Sequence, residues 1–338
     1  MARIALDAMG GDFAPQATVA GALLALAELA DEHVVQLVGS TALIESELSR
    51  QLSGELSALA PHRARIEVVE APDTVGMSDR PTTVLKKPGS SMAVGLMLQR
   101  EGRSDGFISA GNTGAQMAAS AVMLKLHPGL ERPAIATIFP TARNPIVVLD
   151  SGANVDCGAE ELVQFARLGA VYAEDILGRT NPSIGLLSIG EEAEKGNAVV
   201  KEANALLAQA GLNFQGNVEG RDIPKGESDR GPIDVVVCDG FVGNVLLKFY
   251  EAIAPTLVGM LAKGANIDPQ QLAVALKHLD YSEYGGAPLL GVRGVSIICH
   301  GSSKPKAIKN GIKVALRAVE TRMNDHIGRR LAEAAGVA

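Results

Sequence analysis

Eight short runs of β-branched and aliphatic residues punctuate the chain: RIALDA (Arg3–Ala8), VVQLV (Val34–Val38), IEVVE (Ile66–Glu70), AIATIF (Ala134–Phe139), IVVLD (Ile146–Asp150), IGLLSI (Ile184–Ile189), DVVVC (Asp234–Cys238) and VSIIC (Val295–Cys299). Stretches of helical length lie between most of them. Near-continuous apolar strands that alternate with helices predict βαβ units, hence an α/β fold with a mostly parallel sheet covered by helices on both faces. In such a sheet, ligands bind where strands end and helices begin. No linker or internal repeat interrupts the pattern. Residues 1–338 are read as one α/β enzyme unit, with two intertwined lobes around an active-site cleft as the finer expectation.

Small and polar residues gather at the expected strand ends: DAMGGDFAP (Asp7–Pro15), SAGNTG (Ser109–Gly114), DSGANVDCG (Asp150–Gly158), CDGFVGN (Cys238–Asn244) and CHGSSKPKA (Cys299–Ala307). The stretch ISAGNTGAQM, between the run DGFIS and the helix-like AQMAASAVMLKL, has no obvious nucleophile or metal ligand. It offers backbone N–H groups and two small hydrogen-bonding side chains, which suits an oxyanion or a phosphate. Asn112 and Thr113 are therefore assigned to that contact, a role compatible with capping the helix that begins near Gly114. Lys86 and Lys87, just before GSSMAVGL, are candidates to neutralise the anion, with Ser90 and Ser91 as further donors. His300 is the candidate base, although phosphate needs little deprotonation near neutral pH. Substrate binding is further expected from Asp7, Gly10, Gly11, Asp12, Ser109, Gly111, Gly114, Asp150, Asn154, Asp239, Asn244, Gly301 and Ser302. Asp7, Asp12, Asp150, Asp156 and Asp239 could together suggest Mg²⁺. The preferred reading is that these carboxylates brace loops through backbone N–H bonds, with neither metal nor cofactor.

Composition narrows the function. The 37 glycines, the absence of Trp and the 3% aromatic content suit many strand-to-helix turns. A formal charge of −7 argues against nucleic acid as a partner. Three widely separated cysteines, Cys157, Cys238 and Cys299, form no disulfide or zinc pattern and predict a reducing, cytoplasmic setting. No run approaches the roughly 20 uninterrupted apolar residues that span a bilayer.

The ordered set IALDAMGGDFAP, SSM after a Lys pair, SAGNTGA, ERPAI, VLDSGANVDC, DVVVCDGFVGNVLLK, YGGAPLLGV and HGSS, spread over Ile4 to Asn310, closely resembles the bacterial phosphate acyltransferases of phospholipid synthesis, the PlsX family. The resemblance implies transfer of a long-chain fatty acyl group from acyl carrier protein to inorganic phosphate, giving acyl phosphate for phosphatidic acid synthesis. It also implies a fold similar to the phosphotransacetylases and the isopropylmalate dehydrogenase group, and a homodimer. Peripheral membrane association and a downstream glycerol-3-phosphate acyltransferase as a functional partner are implied as well. The chain departs from the family where basic residues lead up to the Ser-Ser-Met: Leu85 precedes Lys86 and Lys87, and Pro88-Gly89 follows.

An acyl thioester is already activated, so its transfer to phosphate demands positioning and preset oxyanion donors rather than a covalent nucleophile. An NAD(P)-dependent hydroxy-acid dehydrogenase is the rival enzyme, disfavoured because DAMGGD is not Gly-x-Gly-x-x-Gly. A non-catalytic carrier-protein or membrane scaffold is the rival from another class. Two surfaces complete the reading. Lys306, Lys309, Lys313 and Arg317 recur at three- and four-residue intervals and form a candidate docking stripe for the acidic carrier protein. The apolar run Val245–Ala262, or the one following it to Leu290, is a candidate lipid contact, in which Lys248, Glu251 and Pro255 argue against a simple span.

Overall fold

Valine- and isoleucine-rich runs form strands because their branched side chains pack well on a pleated surface buried on both faces. The computed structural model describes residues 1–264 and 283–336. The chain divides into two compact units, Met1–His127 with Tyr284–Asn324, and Pro128–Glu283 with Asp325–Ala338.

In the first unit, β1 (Arg3–Asp7) pairs in parallel with β2 (Val34–Gly39), which pairs with β3 (Ile66–Glu70). On its other side β1 pairs with β4 (Gly106–Ser109), followed in space by β13 (Ser296–Ile298) and β12 (Ala287–Leu290). The order is β3-β2-β1-β4-β13-β12, and β12 alone runs antiparallel to its neighbour. The helices are α1 (Gln16–Leu26), α2 (Thr41–Leu52), α3 (Thr83–Lys86), α4 (Ser91–Arg100), α5 (Thr113–Met123) and α9 (Pro305–Glu320). Helix α1 packs on α9. Gly21 permits this approach, since a Cβ there would lie 2.5 Å from the Ile308 Cβ. Leu6, Phe107, Ile108 and Ile297 fill the interior and are almost wholly buried.

In the second unit, β5 (Ala134–Phe139) runs antiparallel to β6 (Ile146–Leu149). Parallel strands β11 (Val235–Val237), β7 (Ile184–Ser188) and β8 (Phe214–Glu219) follow in the order β5-β6-β11-β7-β8. A hairpin joins β9 (Glu227–Ser228) to β10 (Gly231–Pro232). The helices are α6 (Ala159–Asp175), α7 (Ala198–Leu207) and α8 (Gly240–Gly264). Most of α10 (Met323–Ala334) belongs here too, with His326 bonded to Asp175 and Arg330 to Glu174 of α6. Both sheets are parallel but for one strand each, as the strand-helix alternation predicts.

Candidate active site

Four chain segments meet beyond the carboxyl ends of β1, β4 and β13. Asp7, the last residue of β1, is buried; its Oδ2 accepts from Ser109 Oγ at 2.7 Å and its Oδ1 from Met9 N at 3.1 Å. Ser109 Oγ in turn accepts from Gly111 N at 2.9 Å. Gly10 fits this junction because it lacks a side chain: a Cβ would stand 2.6 Å from Asp7 Oδ2 and 2.8 Å from Gly111 N. Gly11 adopts φ +102°, open to glycine at little cost, and Asp12 N donates to Gly301 O at 2.8 Å. The loops after β1 and β13 are thus joined backbone to backbone, and those after β1 and β4 through the Asp7 and Ser109 side chains. Burial pushes the Asp7 carboxyl above its ordinary range, opposed by bonds from Ser91, Ser109 and the Met9 and Gly10 amides.

The fourth segment runs from Asp73 to Ser91. Asn112 holds it: Nδ2 donates to Asp79 O at 2.8 Å and Met77 O at 3.0 Å, while Oδ1 accepts from Ala115 N at 3.0 Å and caps α5. The Asn112 side chain is therefore a clamp as well as a cap. Thr113, the first residue of α5, is exposed, and neither its hydroxyl nor the N–H groups of Thr113 and Gly114 have a partner among the described residues. Free N–H groups at a helix start, with the positive end of the helix dipole behind them, suit an anion. Ser90 caps α4 through Ala93 N, and Ser91 N donates to Asp73 O at 3.0 Å. Lys87 Nζ donates to Thr74 O at 3.0 Å and lies 3.3 Å from Asp79 Oδ2, so it braces the segment. Lys86 is exposed on α3. His300 is half-buried at the start of its loop, and Ser302 is exposed.

Two cations on these loops escape the sequence reading. Arg80 follows the carbonyl that Asn112 clamps, and Lys304 stands at the N-cap position of α9 directly after His300–Ser303, with no side-chain capping bond. As for Lys86, the side chain of neither has an ion-pair or hydrogen-bond partner among the described residues. The signal was present for Lys304, which completes the HGSSK run at a strand end.

The second unit gathers its own strand-end loops. Asp150 is wholly buried; Oδ1 accepts from Ile135 N, Gly152 N and Ala153 N, and Oδ2 from Asn154 N at 2.7 Å and Asn154 Nδ2 at 2.9 Å. Burial raises its pKa against the bonds from the Ile135, Ala153 and Asn154 amides and the Asn154 side chain. Asn154 also donates to Pro133 O at 2.8 Å, and its carbonyl receives Gly240 N at 2.7 Å. Asp239 caps α8 by accepting from Val242 N at 2.8 Å. Asn244 is exposed beside Gly152. Desolvation pushes the half-buried Cys157 thiol up to about 12, which keeps it protonated and unfit as an acyl acceptor. The cluster Glu191, Glu219 and Asp222 is met by Arg221 and Lys225.

On α9 the basic stripe is partly occupied. Lys309 and Lys313 reach Glu28 of the first unit at 2.7 and 2.9 Å, and these bonds lower the Glu28 carboxyl to about 2. Arg317 is exposed and Lys306 half-buried. Helix α8 is long and apolar enough to cross a membrane over Gly240–Leu261 by length and composition alone. One side of it, Leu246, Leu247 and Tyr250, packs on the core of the second unit instead. Val245, Phe249, Leu257 and Met260 remain exposed. Of the run continuing to Leu290, residues 265–282 lie outside the described residues.

Residues 2–326 match the family described as "Fatty acid synthesis protein". The phosphate acyltransferase of Desulforamulus reducens is 46% identical over 330 residues, 95% of this chain and 94% of the relative. That of Heliobacterium modesticaldum is 48% identical over 330 residues, 94% of each. Among solved structures, the EutD phosphotransacetylase from Staphylococcus aureus superposes with a TM-score of 0.60 at 14% identity, and a phosphotransacetylase from Streptococcus pyogenes with 0.59 at 16%, each covering 94% of both chains. At such identities these two establish a shared fold.

Proposed function

Because the chain belongs to the phosphate acyltransferases of the fatty acid synthesis protein family, we infer that it transfers an acyl group to inorganic phosphate for phospholipid synthesis. The acyl donor in this reading is long-chain acyl carrier protein. One phosphate oxygen attacks the thioester carbonyl, a C–O bond forms, the C–S bond breaks, and the carrier thiolate leaves and takes a proton from solvent. The observation that carries the site is the start of α5: the Thr113 hydroxyl and the Thr113 and Gly114 N–H groups stand without partners beside the buried Asp7–Ser109–Gly111 relay. Preset donors of this kind stabilise a developing oxyanion at little reorganisation cost. Arg80, Lys86 and Lys304 supply neutralising charge. Asn112 and Lys87 hold the loop that carries Arg80, and thus act through position. A thioester at bound phosphate calls for these donors and no further group.

Phosphate-dependent release of carrier thiol, followed with acyl phosphate trapping, tests this reading. Turnover is expected to survive chelation, and an activity lost to chelator and restored by Mg²⁺ overturns the metal-free mechanism. Three free thiols support a reducing, cytoplasmic setting. The exposed side of α8 supports burial against a second copy in a homodimer, read by sedimentation of the lipid-free protein. It equally supports peripheral lipid contact when the poorly soluble product is handed to a glycerol-3-phosphate acyltransferase, read by liposome flotation of Leu257→Glu.

A further inference from the structure

Phe13, at the entry to α1, and Ala17, Ala20 and Leu24 within it recur every three or four residues and share one face of the helix. Two alanines between larger side chains leave a trough, which runs about 16 Å along the axis at 1.5 Å per residue. Residues 54–56 beyond α2, with Lys304 and Pro305 at the start of α9, complete its walls. The groove holds about 500 Å³, and every residue that lines it belongs to the first unit. Its lining is mixed in polarity. Phe13 stands 47% exposed, Leu24, Leu56 and Pro305 are half-buried, and the alanines are buried. Gln16, Arg50, Glu55 and Lys304 are exposed and so lie at the mouth. The charges there nearly cancel, since Arg50 is paired with Glu47, and Lys304 is balanced by Glu55. Gln51 is the buried polar member: its Nε2 donates to Gln16 O at 2.9 Å and to Glu47, and its Oε1 has no partner. The groove adjoins the candidate active site, because Phe13 directly follows Asp12, whose N–H donates to Gly301 O at 2.8 Å, and Lys304 follows the His300–Ser303 loop.

Resting on the acyl-transfer reading above, we propose that this groove holds the pantetheine arm on which the acyl donor carries its thioester, and so presents the carbonyl to the loops after β1 and β13. The arm is a narrow chain of short methylene runs separated by amides. Its methylenes leave water against Phe13, Ala17 and Leu24, and an amide N–H is the kind of donor that Gln51 Oε1 lacks. A saturated hydrocarbon fits less well: it brings no donor to Gln51 and would desolvate the polar mouth without return. The nearly balanced charge suits an arm whose amides are neutral. The candidate carrier-docking stripe lies on α9, the helix that Lys304 opens, so carrier body and arm are held by the same unit.

Wild type should turn over octanoyl-pantetheine with a KM on the order of tenfold below that for octanoyl-N-acetylcysteamine, which keeps the thioester but lacks the outer part of the arm. Leu24 and Leu56 are half-buried in the lining, so a larger side chain at either fills the groove. Leu24→Trp and, independently, Leu56→Trp should raise the KM for octanoyl-pantetheine about tenfold, with that for octanoyl-N-acetylcysteamine changed less than about twofold and the phosphate KM unchanged. Equal KM values for the two donors in wild type overturn the proposal, as does an equal change, or none, for both donors in a folded variant. A photoreactive diazirine on the thiol of pantetheine gives a readout that needs no turnover. In wild type the label should fall on residues 13–24, 50–56 or 304–305, and excess pantetheine but not octanoate should suppress it. Labelling confined to other segments, or suppression by octanoate alone, overturns the proposal as well. If the groove is labelled in this way yet no donor yields acyl phosphate, the groove assignment stands and the acyl-transfer reading falls. If acyl phosphate forms while the groove escapes the label, the groove assignment falls alone.

Discussion

Thr113→Val isolates the oxyanion donor from the scaffold around it. The side chain is nearly isosteric, sits at the first position of α5, is exposed, and has no partner among the described residues. Loss of its hydroxyl should therefore change stability by no more than about 0.5 kcal/mol, the usual range for surface substitutions. In the proposed mechanism the same hydroxyl faces a charged oxygen. A hydrogen bond to a charged group contributes about 1.5–3 kcal/mol, so kcat/KM for phosphate should fall by about 10- to 150-fold. The assay is initial rate against phosphate at saturating acyl donor, paired with urea unfolding of the same preparations. Thr113→Ser restores the hydroxyl and should recover most of the activity. Asn112→Ala provides the contrast: it removes a cap worth ~1 kcal/mol and leaves the carbonyls of Met77 and Asp79 without their donor, so stability and rate should fall together. A Thr113→Val enzyme within twofold of wild type, or one whose rate loss is matched by unfolding, would refute the donor role.

Gly10→Ala forces a methyl to within 2.6 Å of Asp7 Oδ2 and 2.8 Å of Gly111 N, and overpacking of this kind costs about 1–3 kcal/mol; a melting temperature and turnover equal to wild type would show that the three loops yield freely. Burial holds the Asp7 carboxyl above its ordinary 3.8, so the folded state binds its proton more tightly than the unfolded chain. The stability this provides is full below about pH 4 and is lost as pH rises through the folded value. Asp7→Asn cannot titrate, so the wild-type minus variant difference in urea stability should shrink from about pH 4 towards neutrality, and a difference that grows contradicts the desolvation account. On α9, Glu28→Gln removes the carboxylate that occupies Lys309 and Lys313 and should lower the KM for carrier protein at low salt, while Lys313→Glu should raise it several-fold, by about 1 kcal/mol. Equal KM values for both variants at low ionic strength would place carrier docking elsewhere.

The strands were legible because burial on both faces leaves continuous aliphatic runs. IEVVE and AIATIF match β3 and β5 end to end. What escaped lacks that signature. FQGNVE forms β8, yet it carries Gln215 and Asn217, and Gly216 at φ +96° stands where the register shifts against β7. The short APLL of β12 reads as a loop, and only pairing across space fixes its antiparallel direction. The strand-end rule groups Asp7, Gly10, Ser109 and Gly301, and these residues lie on neighbouring loops of the first unit. It could not separate Asn112, whose amide is fully engaged, from its free neighbour Thr113, because both are small polar residues at one helix start. Nor could spacing reveal that Glu28, 281 positions away, meets Lys309.

The first unit is assembled from two stretches of chain with the whole of β5 to α8 between them. Strand β13, which flanks β4, and helix α9, which covers α1 at Gly21, are among the last parts made on the ribosome. Until roughly residue 320 has emerged, α1 exposes an Ala- and Leu-rich face and β4 an unpaired edge, both open to aggregation. The second unit has all its described strands by residue 237, so its sheet can form earlier. The sheet that begins first is thus completed after the sheet of the second unit, which still awaits α10 to cover α6. Stalled chains ending near residue 283 should engage chaperones through α1 and β4, and release them only when α9 arrives.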